Sequence, residues 1–113
     1  MQTVVELPEY LREADAVLGD KERSAIIEML ARNPTAGILM AGTGGIRKIR
    51  WARSGGGKSG GVRVIYYFYN FSMPLFLLTL FAKNDKSNLS RTERNELAQL
   101  VLTLRSRYTG TQS

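Results

Sequence analysis

Residues 62–83 have the sequence VRVIYYFYNFSMPLFLLTLFAK, which contains two strand-like runs joined by a short connection. Its first eight residues are rich in β-branched and aromatic side chains, and its last nine are almost entirely apolar. Both compositions are typical of β-strands. The residues between them, Asn70 to Pro74, have the composition of a turn. Because this connection is short, the strands over 62–69 and 75–83 are predicted to pair antiparallel.

The same stretch also contains an uncharged run over residues 64–82, long enough to suggest a membrane span. Three tyrosines, Asn70, Ser72 and Pro74 within the run argue against that interpretation. The first residues of the chain show neither the basic region nor the apolar region of a signal peptide. We therefore expect a soluble cytoplasmic protein that does not enter a membrane.

The N-terminal part of the chain predicts two helices. Pro8 suits the first turn of a helix, where its missing N–H is not needed, and Gly19 is a plausible stop. Asp20 is placed to cap a second helix over roughly 21–32, which ends before the Asn-Pro pair that follows.

Two more strands and a closing helix complete the expected architecture. Residues 46–53, IRKIRWAR, predict a strand, and Val4-Val5 a short one. The pattern from Ser90 to Glu93 is a capping box for a last helix. The predicted apolar stripe of this helix is Leu97, Val101, Leu104 and Tyr108. The order of two helices, a mostly antiparallel sheet and a C-terminal helix predicts an α+β fold, with residues 1–113 as one domain.

The composition excludes several classes of enzyme. The 113 residues include no Cys and no His, so there are no disulfides, thiol nucleophiles or Cys-based metal sites. The common general base near neutral pH is also missing. Zinc enzymes, Ser-His-Asp hydrolases and His-pair ribonucleases are thereby ruled out, and we expect no metal or cofactor. Any chemistry must depend on Lys, Arg, carboxylate, Tyr or Ser groups.

The net charge of +6 is unevenly distributed along the chain. Residues 1–28 contain seven acidic and three basic residues, whereas residues 29–84 contain eight basic residues and no acidic one. Such a stretch cannot neutralise itself locally. If its bases fold onto one face, that face attracts a polyanion; the alternative is an ordinary solvated basic surface.

A glycine-rich segment over residues 55–60, GGGKSG, resembles two nucleotide-binding motifs, but neither holds. The P-loop requires a Gly where the chain has Ala52, and the G-x-G-x-x-G match precedes a strand rather than a helix. We interpret the segment as a flexible loop that carries one cation, Lys58, at its tip.

Alternation along the strands sorts the basic residues by face. Lys48 and Arg50 are predicted to lie on one face of the 46–53 strand, opposite the face that packs on helices. Arg63 shares a face with Tyr67 on the next strand, and Lys83 ends the last one. If these strands are neighbours, the four cations converge. Cations beside aromatic rings suit single-stranded RNA, although a core tyrosine is the alternative for Tyr67.

Several segments of the chain resemble a known family, and the resemblance spans about residues 5–105. The sequence Gly42-Thr-Gly-Gly-Ile-Arg-Lys-Ile-Arg50, the Gly/Lys-rich loop, the Arg63-Val-Ile-Tyr-Tyr strand and Lys83-Asn-Asp resemble the RelE superfamily of bacterial type II toxins, above all its HigB-type branch. The resemblance implies two helices packed on an antiparallel sheet. It also implies metal-independent, ribosome-dependent cleavage of mRNA, restrained by a cognate antitoxin.

The resemblance further implies roles for individual residues. Lys48 matches a candidate general base, Arg50 a phosphate ligand and Arg63 an arginine that stabilises the transition state. Lys83 is near the last catalytic position, where it would stabilise charge or protonate the leaving group. The remaining RNA-binding candidates are Arg47, Arg53, Lys58 and Tyr67.

The implied partners are the ribosome, its mRNA and a HigA-like antitoxin with a helix-turn-helix fold. Operator DNA would be contacted only through that antitoxin. Two other functions stay open from the residues alone. One is a non-catalytic, basic RNA- or ribosome-binding module, because phosphate contacts by themselves give affinity. The other is a structural protein that acts only within a complex.

Overall fold

A computed structural model describes residues 1–52, 61–82 and 88–109. The elements follow one another as β1 (Val4–Glu6), α1 (Pro8–Val17), α2 (Asp20–Arg32), β2 (Ile38–Leu39), β3 (Ile46–Ala52), β4 (Gly61–Tyr67), β5 (Leu75–Ala82) and α3 (Arg91–Thr109). This order confirms the predicted α+β class: a short strand and two helices come first, then the rest of the sheet, then a closing helix.

The five strands form one sheet in the order β1-β5-β4-β3-β2. β1 runs parallel to β5, and every other neighbouring pair is antiparallel. The register shifts between Ile65 and Tyr66, where β5 has one extra residue opposite β4. The uncharged run over residues 64–82 therefore consists of sheet strands and a turn, and no helix of the described residues is long and apolar enough to cross a membrane.

Each face of the sheet is covered by different helices. On one face, Tyr10 and Ala14 of α1 and Ile26 and Leu30 of α2 pack against the buried side chains of β4 and β5. Ile49 and Trp51 of β3 also face this layer, as their alternation predicts. On the other face, α3 packs through Val101, with Leu97 and Leu104 beside it. β4 and β5 are therefore buried almost completely on both faces, whereas β3 is only partly buried.

The capping box of α3 forms as its spacing predicts. The Ser90 Oγ accepts a hydrogen bond from the Glu93 N–H at 3.1 Å, and the Glu93 carboxylate accepts one from the Ser90 N–H at 2.8 Å. These two bonds satisfy backbone donors that the first turn of a helix leaves free. The start of α3 is thereby fixed by the sequence.

Three details differ from the sequence prediction. Asp20 does not cap α2: Gly19 occupies the N-cap position, and Asp20 is the first helical residue. Its carboxylate still lies where the helix dipole favours negative charge. β4 ends at Tyr67, two residues before the predicted end. β2, with only two residues at the sheet edge, has no counterpart in the prediction.

Candidate functional site

Three basic side chains share one face of the sheet. In the β3–β4 ladder, Lys48 lies opposite Ile65, and Arg50 lies directly opposite Arg63. Directly opposed residues of an antiparallel pair point to the same face. Lys48, Arg50 and Arg63 therefore form one group, which we call the cationic cluster. The structure brings together the three predicted catalytic residues that lie within its described part.

Within the described part of the chain, the positive charge of the cationic cluster is not balanced by ion pairs. Among the described residues, no carboxylate lies within ion-pairing distance of Lys48, Arg50 or Arg63. The Nε of Arg63 is buried and has no hydrogen-bond partner in that part of the chain. Like charges directly opposite one another destabilise a sheet. An anion placed between Arg50 and Arg63 would remove this repulsion and satisfy the free donor.

The two arginines differ in their access to solvent. Arg50 is exposed, and its Nε lies 3.6 Å from the position of a β-carbon built on Gly61. Lys48 and Arg63 are half-buried. Partial burial strengthens the interaction of a cation with an incoming anion, because the local dielectric constant is lower than that of water. The cluster thus has an accessible side and a better-shielded side.

The turn before β3 fixes the register of this strand. Thr43, almost fully buried, donates from Oγ1 to the Met40 carbonyl at 2.6 Å and accepts from the Ile46 N–H at 3.2 Å. The Met40 N–H in turn donates to the Ile46 carbonyl at 2.8 Å. Since these bonds tie the turn to the first residue of β3, they set the position of Lys48 two residues later. The glycine-rich motif therefore positions the cluster.

Helix α3 lies on the same sheet face as the cationic cluster. Its buried Val101 belongs to the layer that contains Ile65 and Tyr67 of β4. Arg94 of α3 donates to the Ala41 carbonyl at 3.0 Å, beside the glycine-rich turn. The sequence predicts this helix and its apolar stripe, but it does not predict which face of the sheet the helix covers.

Tyr67 is fully buried under this layer. Burial raises the pKa of its hydroxyl, and the nearby Arg105 partly offsets that effect. The ring has no free face on which a base could stack, which fits the alternative weighed for it, a core tyrosine of the sheet. The neighbouring Tyr69 is exposed, and the Arg105 guanidinium lies 4.9 Å from its ring centroid.

Arg47 lies on the opposite sheet face from the cluster and holds the chain before β2. Its guanidinium donates to the Gly37 carbonyl at 2.9 Å and to the Thr35 carbonyl at 3.4 Å. The buried Tyr66 hydroxyl accepts from the Gly37 N–H and donates to the Pro34 carbonyl, both at 2.8 Å. The sequence does not predict these hydrogen bonds of Arg47 and Tyr66, because alternation along a strand does not show which loop a side chain contacts.

Three of the predicted site residues, Arg53, Lys58 and Lys83, lie outside the described residues. Within the described residues, no group of three or more acidic side chains is arranged to hold a metal ion. The charged side chains of the cluster are all cationic. An Arg can bind two oxygens of one phosphate through its planar fork, and a Lys binds as a point charge. The cluster is suited to a phosphodiester.

Fold and site together define a small basic α+β protein whose sheet carries Lys and Arg side chains that have no carboxylate partner within the described part of the chain. The sequence model of a family described as the RelE toxin of the RelE/RelB toxin-antitoxin system matches residues 14–109. The chain therefore belongs to the RelE toxin family.

A solved structure shows the same fold. It is a double arginine-to-alanine mutant of the Escherichia coli toxin RelE in the free state. The two structures superpose with a TM-score of 0.59 at 15% sequence identity, and the match covers 89% of this chain and 97% of that one. At this identity, the comparison establishes the architecture, and the chemistry must be argued from the residues of this chain.

Proposed function

We propose that this protein is a HigB-like, ribosome-dependent endoribonuclease that cleaves mRNA during translation and thereby inhibits growth. The observation that carries the proposal is the cationic cluster: Lys48, Arg50 and Arg63 lie on one sheet face without a carboxylate partner among the described residues. Membership of the RelE toxin family supports the same conclusion.

The proposed reaction uses the 2′-hydroxyl of the RNA as the nucleophile. Its oxygen loses a proton and forms a bond to the adjacent phosphorus, while the bond from phosphorus to the 5′ oxygen breaks. The products are a 2′,3′-cyclic phosphate and a 5′-hydroxyl, and no metal ion takes part. The protein must accept one proton, stabilise the additional negative charge on the phosphate and return a proton to the leaving oxygen.

The residues of the cluster divide these tasks. Lys48 acts as the general base, Arg50 binds the phosphate, and Arg63 stabilises the charge of the transition state. Lys83 stabilises charge or protonates the leaving oxygen. The half-buried position of Arg63 supports its role, because its interaction with developing charge is less screened by water than that of an exposed Arg. Arg53 and Lys58 bind the RNA backbone.

The proposed partners follow from this function. The protein acts with the ribosome on its mRNA, and a HigA-like antitoxin with a helix-turn-helix fold restrains it. Acidic segments of that antitoxin would complement the cationic cluster. The toxin contacts operator DNA only through the antitoxin. A reading frame for such a protein next to the gene would support this assignment.

Arg63→Ala tests the proposal in a purified translation system. We expect wild-type protein to cut ribosome-bound mRNA and Arg63→Ala to cut it about 100-fold more slowly, because one donor to the developing charge is lost. Primer extension locates the cut, and chemical analysis of the ends identifies the cyclic phosphate. Added chelator is expected to leave the rate unchanged.

The matched control is Lys21→Ala, which removes one exposed positive charge on α2. It should cut mRNA at the wild-type rate. If wild-type protein binds ribosomes in a salt-sensitive manner and leaves the mRNA intact, the enzymatic proposal is wrong, and the non-catalytic RNA-binding function replaces it.

A further inference from the structure

A cavity of about 410 Å³ lies between α1, β5 and α3, and no residue of the cationic cluster lines it. Its apolar lining comes from Leu80 and Phe81 of β5 and from Leu89, Leu97 and Leu100 at and near α3. The cavity therefore runs along the edge of the sheet between the two helices that cover its opposite faces.

Four glutamates surround this cavity: Glu9 and Glu13 from α1, and Glu93 and Glu96 from α3. Glu93 caps its own helix. The other three have no ion-pair partner in the part of the chain that the structure describes. In a chain with a net charge of +6, this surface is locally acidic. Its field favours a cationic ligand and repels RNA.

Among the described residues, no strand pairs with β5 beside this cavity on the side occupied by β1. β1 pairs with residues Leu75 to Leu77 of β5 and with no later residue. The next part of β5, over residues 79–81, borders the cavity instead. Thr79, which lines the cavity, is only 7% exposed. An extended peptide added to a sheet edge gains backbone hydrogen bonds, and alternate side chains enter pockets.

We propose that this groove binds a basic, extended segment of a protein partner. The segment continues the position of β1 along residues 79–81. Its apolar side chains contact Leu97 and Leu100, and its Lys or Arg side chains pair with Glu9, Glu13 and Glu96. This inference does not depend on the cleavage of RNA, because the groove and the cationic cluster use different residues.

The test uses a blocked peptide of sequence Leu-Lys-Val-Arg-Leu-Lys-Val and the full-length protein. We expect binding that weakens with added salt, measured by fluorescence anisotropy. Amide chemical-shift changes should concentrate on residues 79–81 and on the facing turns of α1 and α3. The double variant Glu9→Gln/Glu96→Gln should bind about fivefold more weakly, since it loses two partly screened ion pairs.

The matched control is Asp20→Asn/Glu28→Gln, which removes two acidic groups from α2, away from the groove. It should bind the peptide within about twofold of wild type, a change smaller than one surface ion pair. Equal affinity for the two double variants overturns the proposal, as do chemical-shift changes confined to another surface. Binding of a second copy of the chain in place of the peptide also overturns it.

The translation assay separates this inference from the proposed function. Glu9→Gln/Glu96→Gln is expected to cut mRNA at the wild-type rate, because neither side chain lies in the cationic cluster. Loss of peptide binding with intact cleavage supports the groove, and intact peptide binding with no cleavage in the wild type removes only the enzymatic proposal.

Discussion

At the scale of single residues, Gly45 combines a backbone conformation that favours glycine with a close contact to the core. Its φ is +125°, and a β-carbon there would lie 2.8 Å from the Cε1 atom of Tyr67. Because Tyr67 is fully buried, its ring has no room to move away. We expect Gly45→Ala to lower the free energy of unfolding by about 2 kcal/mol or more, from backbone strain and overpacking together. Urea denaturation measures this loss.

The control for this substitution is Gly19→Ser. A β-carbon at Gly19 meets nothing within 4 Å, and serine is well suited to the N-cap of α2. Stability should stay the same or rise. A Gly45→Ala protein as stable as wild type would show that the glycine-rich turn relaxes, and that its glycines do not fix the position of β3.

The sequence predicts part of the site at this scale, for a physical reason. Side chains alternate along a strand, so the common face of Lys48, Arg50 and Arg63 follows once β3 and β4 are paired. Alternation does not show what covers each face. For this reason the sequence does not predict that Tyr67 is buried under α3 or that Arg47 bonds to loop carbonyls. An aromatic and a basic residue of this kind are also typical of RNA-binding surfaces.

At the scale of elements, the predicted apolar stripe of α3 packs on the sheet in the middle of the helix, and its last residue is less buried. Val101 is buried, Leu97 and Leu104 are half-buried, and Tyr108 is half-exposed with its ring edge-on to Phe76. The helical period of the sequence predicts which face of α3 is apolar. Which face of the sheet the helix covers depends on how the other layers pack. β2 escapes prediction because a two-residue edge strand leaves too short a pattern.

Two adjacent residues of α3 test how the helix is held. Val101 is 2% exposed and Leu102 is 49% exposed. We expect Val101→Ala to cost about 2 kcal/mol of unfolding free energy, through lost burial and a residual cavity. Amide hydrogen exchange of residues 91–109 should accelerate in this variant more than exchange of β4 and β5, because the helix loses its main contact with the sheet.

Leu102→Ala is the matched control, because it removes a larger side chain from the solvent side. Its effect should stay within about 0.5 kcal/mol. Equal losses in the two variants, or accelerated exchange throughout the sheet after Val101→Ala, would mean that α3 does not unfold separately from the strands beneath it.

At the scale of the whole molecule, the uneven charge of the sequence becomes two surfaces of opposite sign. The acidic N-terminal segment contributes Glu9 and Glu13 to the groove, and the acid-free segment contributes every member of the cationic cluster. The net charge of +6 describes neither surface. The two proposals therefore place an anionic RNA and a basic protein segment on different surfaces of the same small protein.

The buried tyrosines predict how the stability of the whole fold changes with pH. Burial, with a smaller effect of Glu6, raises the pKa of Tyr10 from 10.0 to about 12. Burial also raises the pKa of Tyr66 and Tyr67. Between pH 10 and 12 the unfolded chain loses the Tyr10 proton and the folded chain keeps it. The contribution of Tyr10 to the free energy of unfolding is therefore complete below pH 10 and is lost as pH rises. We expect the ionisation of Tyr10 alone to lower the free energy of unfolding by about 3 kcal/mol between pH 10 and 12.

Tyr10→Phe isolates this effect. The Tyr10 hydroxyl is buried and has no hydrogen-bond partner among the described residues, so its removal should not reduce stability at neutral pH. Urea denaturation at a series of alkaline pH values should show a shallower loss of stability in Tyr10→Phe than in wild type. Tyr108→Phe, which removes an exposed hydroxyl, should keep the wild-type slope. If Tyr10→Phe and wild type lose stability equally with pH, then another group keeps its proton in the fold, and the desolvated Tyr10 hydroxyl does not govern alkaline unfolding.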